Sequence, residues 1–176
     1  PKNRHMLTET LLEQTKSARQ AAQSLATTPT EQKDTLLQKL AQAIRQRQAT
    51  ILEENQKDMV VAQKMVRKGE LSESAYRRML LSPSKIEQIA TSVEAVAKLD
   101  DPVGQVELGT RLDEGLDLYR VSTPIGVILV IFESRPDALV QISSLSLKSG
   151  NAVILKGGRE VQRTNAALTA IIRETS

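Results

Sequence analysis

Residues 124–160 read PIGVILVIFESRPDALVQISSLSLKSGNAVILKGGRE. Ile125 to Phe132 is a nearly unbroken apolar run, rich in Val and Ile. That is the pattern of a strand buried on both faces. Glu133, Ser134 and Arg135 interrupt it. Pro136 suits the first turn of a helix, where a missing N–H goes unneeded. Leu139, Ile142 and Leu145 give that helix an apolar stripe. Gly150 is placed to end it in a left-handed cap. Ala152 to Leu155 reads as a second buried strand, closed by Lys156-Gly157-Gly158. The order is that of a βαβ unit, with a right-handed crossover expected. Ligands of such units gather beyond the carboxyl ends of the strands. Both polar turns, 133–136 and 156–160, lie at that edge. The N–H groups opening the helix at Pro136 point there too and favour an anion. The residues thus predict a site for a phosphate-bearing ligand around Ser134, Arg135, Lys156 and Gly157.

Upstream of this unit the texture differs. Gln105 to Leu112 and Leu116 to Ser122 alternate loosely around Asp113-Glu114-Gly115, which predicts a β-hairpin. Its polarity suits an exposed ribbon or an edge awaiting a partner. The first hundred residues read as helices. Leu7, Leu11, Leu12, Ala18, Ala22 and Leu25 share a face over residues 7–26. Thr28, Pro29 and Glu31 form a capping box for the next helix, whose stripe is Leu36, Leu37, Leu40 and Ile44. Ile51, Leu52, Met59, Val60 and Val66 carry a further helical stretch to a stop at Gly69. Ser72 caps a short helix containing Tyr76 and Leu80. Ser82-Pro83 starts another, with Ile86, Ile89, Val93 and Val96 inward, ended by Asp100-Asp101-Pro102. The charges on these helices read as solvated outer faces. Met59, Met65 and Met79 read as core or core edge. After residue 160 a last helix turns Val161, Leu168, Ile171 and Ile172 inward.

The 176 residues suit one domain, or one and part of another, and 40% are hydrophobic, enough for a core. One Phe, two Tyr and no Trp leave the interior to aliphatic packing and give base stacking little to work with. The net charge of +3 is a small excess on a mixed surface. No basic cluster or recognised motif supports nucleic-acid binding. The absence of cysteine removes disulfides, thiolate metal sites and a cysteine nucleophile from these residues. No stretch approaches a membrane span and the start is polar, unlike a signal peptide. Met6 reads as a natural start, and His5 as part of an irregular lead ahead of the fold. No metal site is expected.

Several residues carry two readings. Arg135 binds an anion, or pairs with Glu133 or Asp137. Lys156 reaches a ribose or phosphate, or is a snorkelling surface lysine. Gly157-Gly158 permits close approach of a ligand, or is only a turn. Ser134 has no histidine nearby in sequence, which argues against a serine nucleophile. The G-x-G-x-x-G fingerprint is absent, because Gly126 lies at the start of the first strand rather than in the turn after it. Two parallel strands do not complete a doubly wound sheet. A piece of a longer protein, or a chain completed by a partner, is the expectation.

At VIFESRPDALVQ and SLKSGNAVILKGGRE the sequence resembles the γ-glutamyl phosphate reductase (glutamate-5-semialdehyde dehydrogenase) family of the aldehyde dehydrogenase superfamily. NQKDMVVAQ, LSESAYRRMLLSPSKIEQIA and KLDDPVGQV resemble its helical N-terminal part in order and spacing. The likeness runs from about Met6 to Ser176. It implies an α/β fold of aldehyde-dehydrogenase type. Helices would occupy 6–102, a hairpin of oligomerisation type 103–123, and a partial Rossmann-like cofactor unit 124–176.

The resemblance further implies an NADPH-dependent, cytoplasmic enzyme of proline biosynthesis that reduces L-glutamyl 5-phosphate to glutamate 5-semialdehyde and releases phosphate. A cysteine thiolate attacks the acyl phosphate and hydride reduces the resulting thioester. That cysteine would lie beyond Ser176, so the chain alone is expected to be inactive. By position Lys156 matches the lysine that contacts the adenosine ribose or its 2′-phosphate. Glu160 approximates the glutamate that contacts the ribose, one residue out of step. Glu133, Ser134, Arg135 and Pro136 occupy the turn lining the cofactor, beside Gly157 and Gly158. Ser134 is a candidate oxyanion donor there. A homo-oligomer through the hairpin is implied. The competing reading is a non-catalytic nucleotide-binding or scaffold module.

Overall fold

The computed structural model describes residues 2–175 of the backbone and side chains from residue 10 onward. Seven helices and four strands follow in the order α1 (Lys2–Ala26), α2 (Thr30–Gln46), α3 (Gln48–Arg67), α4 (Glu73–Met79), α5 (Pro83–Ala97), β1 (Val106–Asp113), β2 (Leu116–Val121), β3 (Val127–Ile131), α6 (Pro136–Lys148), β4 (Ala152–Lys156) and α7 (Gln162–Thr175). A single 3-10 turn, Arg159–Val161, leads into α7. The lead expected to be irregular is instead the first turns of α1, and His5 falls within it.

The core is built between helices. Leu37, Leu40, Ala41 and Ile44 of α2 meet Ile86, Ile89, Ala90 and Val93 of α5, with Leu139 and Val140 of α6 and Leu168 and Ile171 of α7. A smaller cluster joins Met59, Ala62, Met79 and Val161. Ser72 and Ser82 cap α4 and α5 as expected, their hydroxyls accepting from the Ala75 and Lys85 amides, each at 3.2 Å. Such caps contribute about 1 kcal/mol each. The capping box at the start of α2 does not form. Pro29 takes the cap position without a side-chain bond. The Thr28 hydroxyl donates back to the Ser24 carbonyl at 2.9 Å, serving the end of α1 instead. Leu11 and Leu12 of the expected α1 stripe are exposed, while Ala22 is buried.

Not all helix charges face solvent. Asp58 and Asn55 lie on the buried side of α3, and Lys33 and Lys148 are 1% and 2% exposed. Lys33 pairs with Asp101 and donates to the Lys148 carbonyl at 3.2 Å. Lys148 pairs with Asp34 and donates to the Ala97 carbonyl at 3.0 Å. These bonds tie the ends of α5 and α6 to α2, and they satisfy charges that would otherwise be costly to bury. Burial pushes the Asp101 carboxyl up, but the Lys33 ammonium, the Val103 amide and the Thr30 hydroxyl outweigh it and hold the group below its ordinary value.

β1 and β2 pair antiparallel as a two-stranded ribbon, exposed along its whole length. β3 and β4 pair in parallel from Val127↔Ala152 to Ile131↔Lys156. The β3 run is not buried on both faces. Its residues alternate, with Leu129 and Ile131 62% and 64% exposed and Ile128 and Val130 half-buried. Among the described residues nothing covers that outer face. The α6 stripe is also rotated from the expected one: Leu139 is buried, Ile142 is half-buried and Leu145 is exposed. Val140 and Ser144 take the inner positions, because the helix packs on α2, α5 and α7 as well as on β4. Gly150 ends α6 at φ 70°. Its amide donates to Leu147 and that of Asn151 to Ser146, which is a Schellman cap. A side chain at Gly150 would also run into the Pro124 ring.

Candidate functional site

The register of the parallel pair sets the site. Ile131 stands opposite Lys156, and the Phe132 amide donates to the Lys156 carbonyl at 3.1 Å. The two turns therefore leave the sheet side by side at its carboxyl edge. Ser134 makes the first turn sharp. It is the only described non-glycine residue with positive φ, at 51°, and it is buried. Its amide and its hydroxyl both donate to Glu160 Oε1, at 2.7 and 2.9 Å. Pro136 then opens α6.

The glycines have separate reasons. The Asn165 side-chain amide and the Phe132 ring occupy the space where a Gly157 side chain would go. The Glu160 carboxylate occupies that of Gly158. Between β4, α6 and α7 lies a cavity of about 360 Å³, lined by Phe132, Leu139, Leu155, Gly157, Asn165 and Arg173 among others. Glu133, Arg135 and Lys156 are exposed. Of the two readings of Arg135, the pair with Asp137 is present, at 3.0 Å. That carboxylate raises the guanidinium pKa, although an exposed pair adds little to stability. Lys156 has no ion pair among the described residues.

The predicted residues thus divide. Ser134, Glu160 and Gly158 form one contact, while Lys156 and Glu133 present their side chains to solvent and the exposed Arg135 is paired with Asp137. Both donors of Ser134 are directed at Glu160, so an oxyanion role for Ser134 requires a ligand to draw them away. Phe132 and Asn165 were missed by sequence reasoning. No local signal marks Asn165, whose Oδ1 is buried without a hydrogen-bond partner among the described residues. Asp58 was missed as well. From α3 its carboxylate accepts the Thr164 amide at 2.8 Å, the Thr164 hydroxyl at 2.7 Å and the Arg163 amide at 3.3 Å. It caps the helix that follows the second turn. Its placement between Ile51 and Met59, on the apolar side of α3, was the available clue.

A model of the aldehyde dehydrogenase family matches residues 5–176. The chain belongs to that family. Membership implies a nicotinamide cofactor, and the family α/β architecture agrees with the helices and parallel pair. A γ-glutamyl phosphate reductase of Natronomonas pharaonis is 48% identical over 170 residues, covering 97% of this chain and 39% of that protein. The crystal structure of γ-glutamyl phosphate reductase from Thermotoga maritima superposes with a TM-score of 0.86 at 36% identity, covering 94% of this chain and 39% of the other. That from Saccharomyces cerevisiae gives 0.84 at 40% identity, covering 91% and 40%. The chain spans about two fifths of these relatives. The resemblance drawn from FESRP and SGNAVILKGG therefore holds. No described helix is long and apolar enough to cross a membrane.

Proposed function

We propose that the chain is the cofactor-facing N-terminal portion of an NADPH-dependent reductase that converts L-glutamyl 5-phosphate to L-glutamate 5-semialdehyde, with release of phosphate. The observation that carries the reading is the level ending of β3 and β4, which sets the 133–136 and 156–160 turns side by side. The 48% identity to a γ-glutamyl phosphate reductase supports the choice of chemistry.

The residues fit a phosphate-bearing dinucleotide. Lys156 is an exposed cation without an ion pair among the described residues, suited to a ribose phosphate. Gly157 lets Asn165 and Phe132 pack against the second turn. The N-terminus of α6 adds a positive dipole end behind Ser134 and Arg135. Glu133, Pro136, Gly158 and Glu160 complete the rim. When bound, NADPH supplies hydride. The protein groups hold and orient it, and shield one side of the site with Phe132 and Leu155. The attacking thiolate comes from outside these residues, which contain no cysteine. The chain alone is expected to release no phosphate from the substrate.

The reading includes division at 6–102, 103–123 and 124–176, a cytoplasmic location, and assembly of like chains through the β1–β2 ribbon. Leu108, Leu118 and Tyr119 on that ribbon are exposed, which favours a covering partner. Fluorescence titration with NADPH and NADH tests the cofactor assignment. Tighter binding of NADPH, weakened by Lys156→Ala, is the expected result. Equal binding by wild type and variant would remove Lys156 from the site.

A further inference from the structure

We propose that Glu160 is a positioning residue: its carboxylate clasps the 133–136 turn and holds Ser134 in its left-handed conformation. The role rests on these turns being the cofactor site, as proposed above.

Three observations converge. Ser134 has φ 51°, a region that disfavours L-residues other than Asn, Asp and Gly. Something must hold it there. Both of its donors, the amide and the hydroxyl, meet the same Glu160 oxygen at 2.7 and 2.9 Å. Bonds to an ionised acceptor are among the stronger ones. Thirdly, Gly158 has an ordinary φ of −70°, so backbone freedom does not demand glycine there. The space where its Cβ would sit is taken by the Glu160 carboxylate. Glycine at 158 lets the carboxylate fold back across its own turn to reach Ser134.

The clasp joins the two polar turns, which the β3–β4 ladder brings together only as far as Phe132 and Lys156. It also fixes the chain just ahead of α6, and so the direction of that helix's first N–H groups. Glu160 sits in the 3-10 turn leading into α7, whose start Asp58 anchors to α3. The acceptor is therefore itself held by the core.

The test uses the full 176-residue chain and two readouts. The first is hydrogen exchange at the Ser134 amide by NMR. Loss of a bond to a charged acceptor is expected to speed exchange about ten- to a hundredfold in Glu160→Ala. Gly158→Ala should do the same, because it displaces the carboxylate without altering it. Glu160→Gln keeps an acceptor oxygen and should restore most of the protection. Amides in the middle of α6 should be unchanged, which separates the clasp from unfolding. Unchanged Ser134 exchange in Glu160→Ala overturns the proposal.

The second readout is NADPH affinity. Parallel weakening in Glu160→Ala and Gly158→Ala, with rescue by Glu160→Gln, supports positioning. Weakening in Glu160→Ala alone means direct contact with the ligand and overturns it. If the wild-type chain binds no NADPH, the cofactor reading fails and with it the clasp's role toward that ligand, while the exchange data still decide whether the clasp forms.

Discussion

Replacing Asp58 by Ala should destabilise the protein more than any surface charge change. The carboxylate is 5% exposed and takes three donors at the start of α7: the Thr164 amide, the Thr164 hydroxyl and the Arg163 amide. Losing a cap of this kind costs about 1–2 kcal/mol. Leaving the buried Thr164 hydroxyl one acceptor short adds about 1 kcal/mol. The sum is about 2–3 kcal/mol, which for a chain of this size lowers the melting temperature by about 4–12 °C. Asp58→Asn retains an acceptor oxygen and should cost about 1 kcal/mol. Urea unfolding followed by circular dichroism gives both values from the midpoint, with the slope as a check on two-state behaviour. A stability for Asp58→Ala within about 0.5 kcal/mol of wild type, the range of an ordinary surface change, would refute the idea that α3 caps α7. Because α7 follows directly from the 157–161 segment, the same substitution should also loosen the second turn of the candidate site.

Lys148→Met keeps the methylene packing but removes the bonds to Asp34 and the Ala97 carbonyl. A loss of about 2 kcal/mol is expected in the same unfolding assay, since one buried acceptor goes unpaired while Asp34 turns to water. Asp101 has its pKa lowered in the folded state, so its contribution is full above the unfolded value of about 3.9 and fades as pH falls through the folded value. Asp101→Asn should therefore flatten the acid limb of stability against pH below about 4, and an unchanged limb would contradict the assignment. Gly150→Ala meets both φ 70° and the Pro124 ring and should cost at least about 1 kcal/mol. Leu118→Glu on the exposed ribbon should reduce self-association in light scattering without shifting the melting temperature, if like chains assemble there.

Much of the fold was legible from residues whose physics is local. Ser72 and Ser82 before helix formers, Gly69 and Gly150 after them, and the turn ahead of Leu116 each act within a few residues, and each acts in the structure as read. The apolar runs Ile125–Phe132 and Ala152–Leu155 read as a parallel pair because of their density of β-branched and aliphatic residues. The register then followed into the site: two polar turns at the ends of two such strands have to share an edge. The family was legible too, since FESRP and SGNAVILKGG fall on the residues that build that edge.

The sequence could not say which face of each element would be covered. Burial of Lys33, Asn55, Asp58 and Lys148 is decided by partners more than 20 residues away, and side-chain type alone predicts the opposite. The same holds for Leu129 and Ile131, apolar yet exposed, because burial depends on what lies across the sheet rather than on the strand itself. Thr28 failed as a cap for a related reason: its hydroxyl had a nearer carbonyl to serve. At the candidate site, the spacing of strands and turns placed Ser134 at the anion-binding edge, and the family resemblance added Glu160 as a ribose contact. Only the tertiary structure joined them to each other. Residues 26 apart in sequence meet because the βαβ crossover returns the chain to the same edge, and the missing Cβ of Gly158 leaves room for the carboxylate to complete the contact.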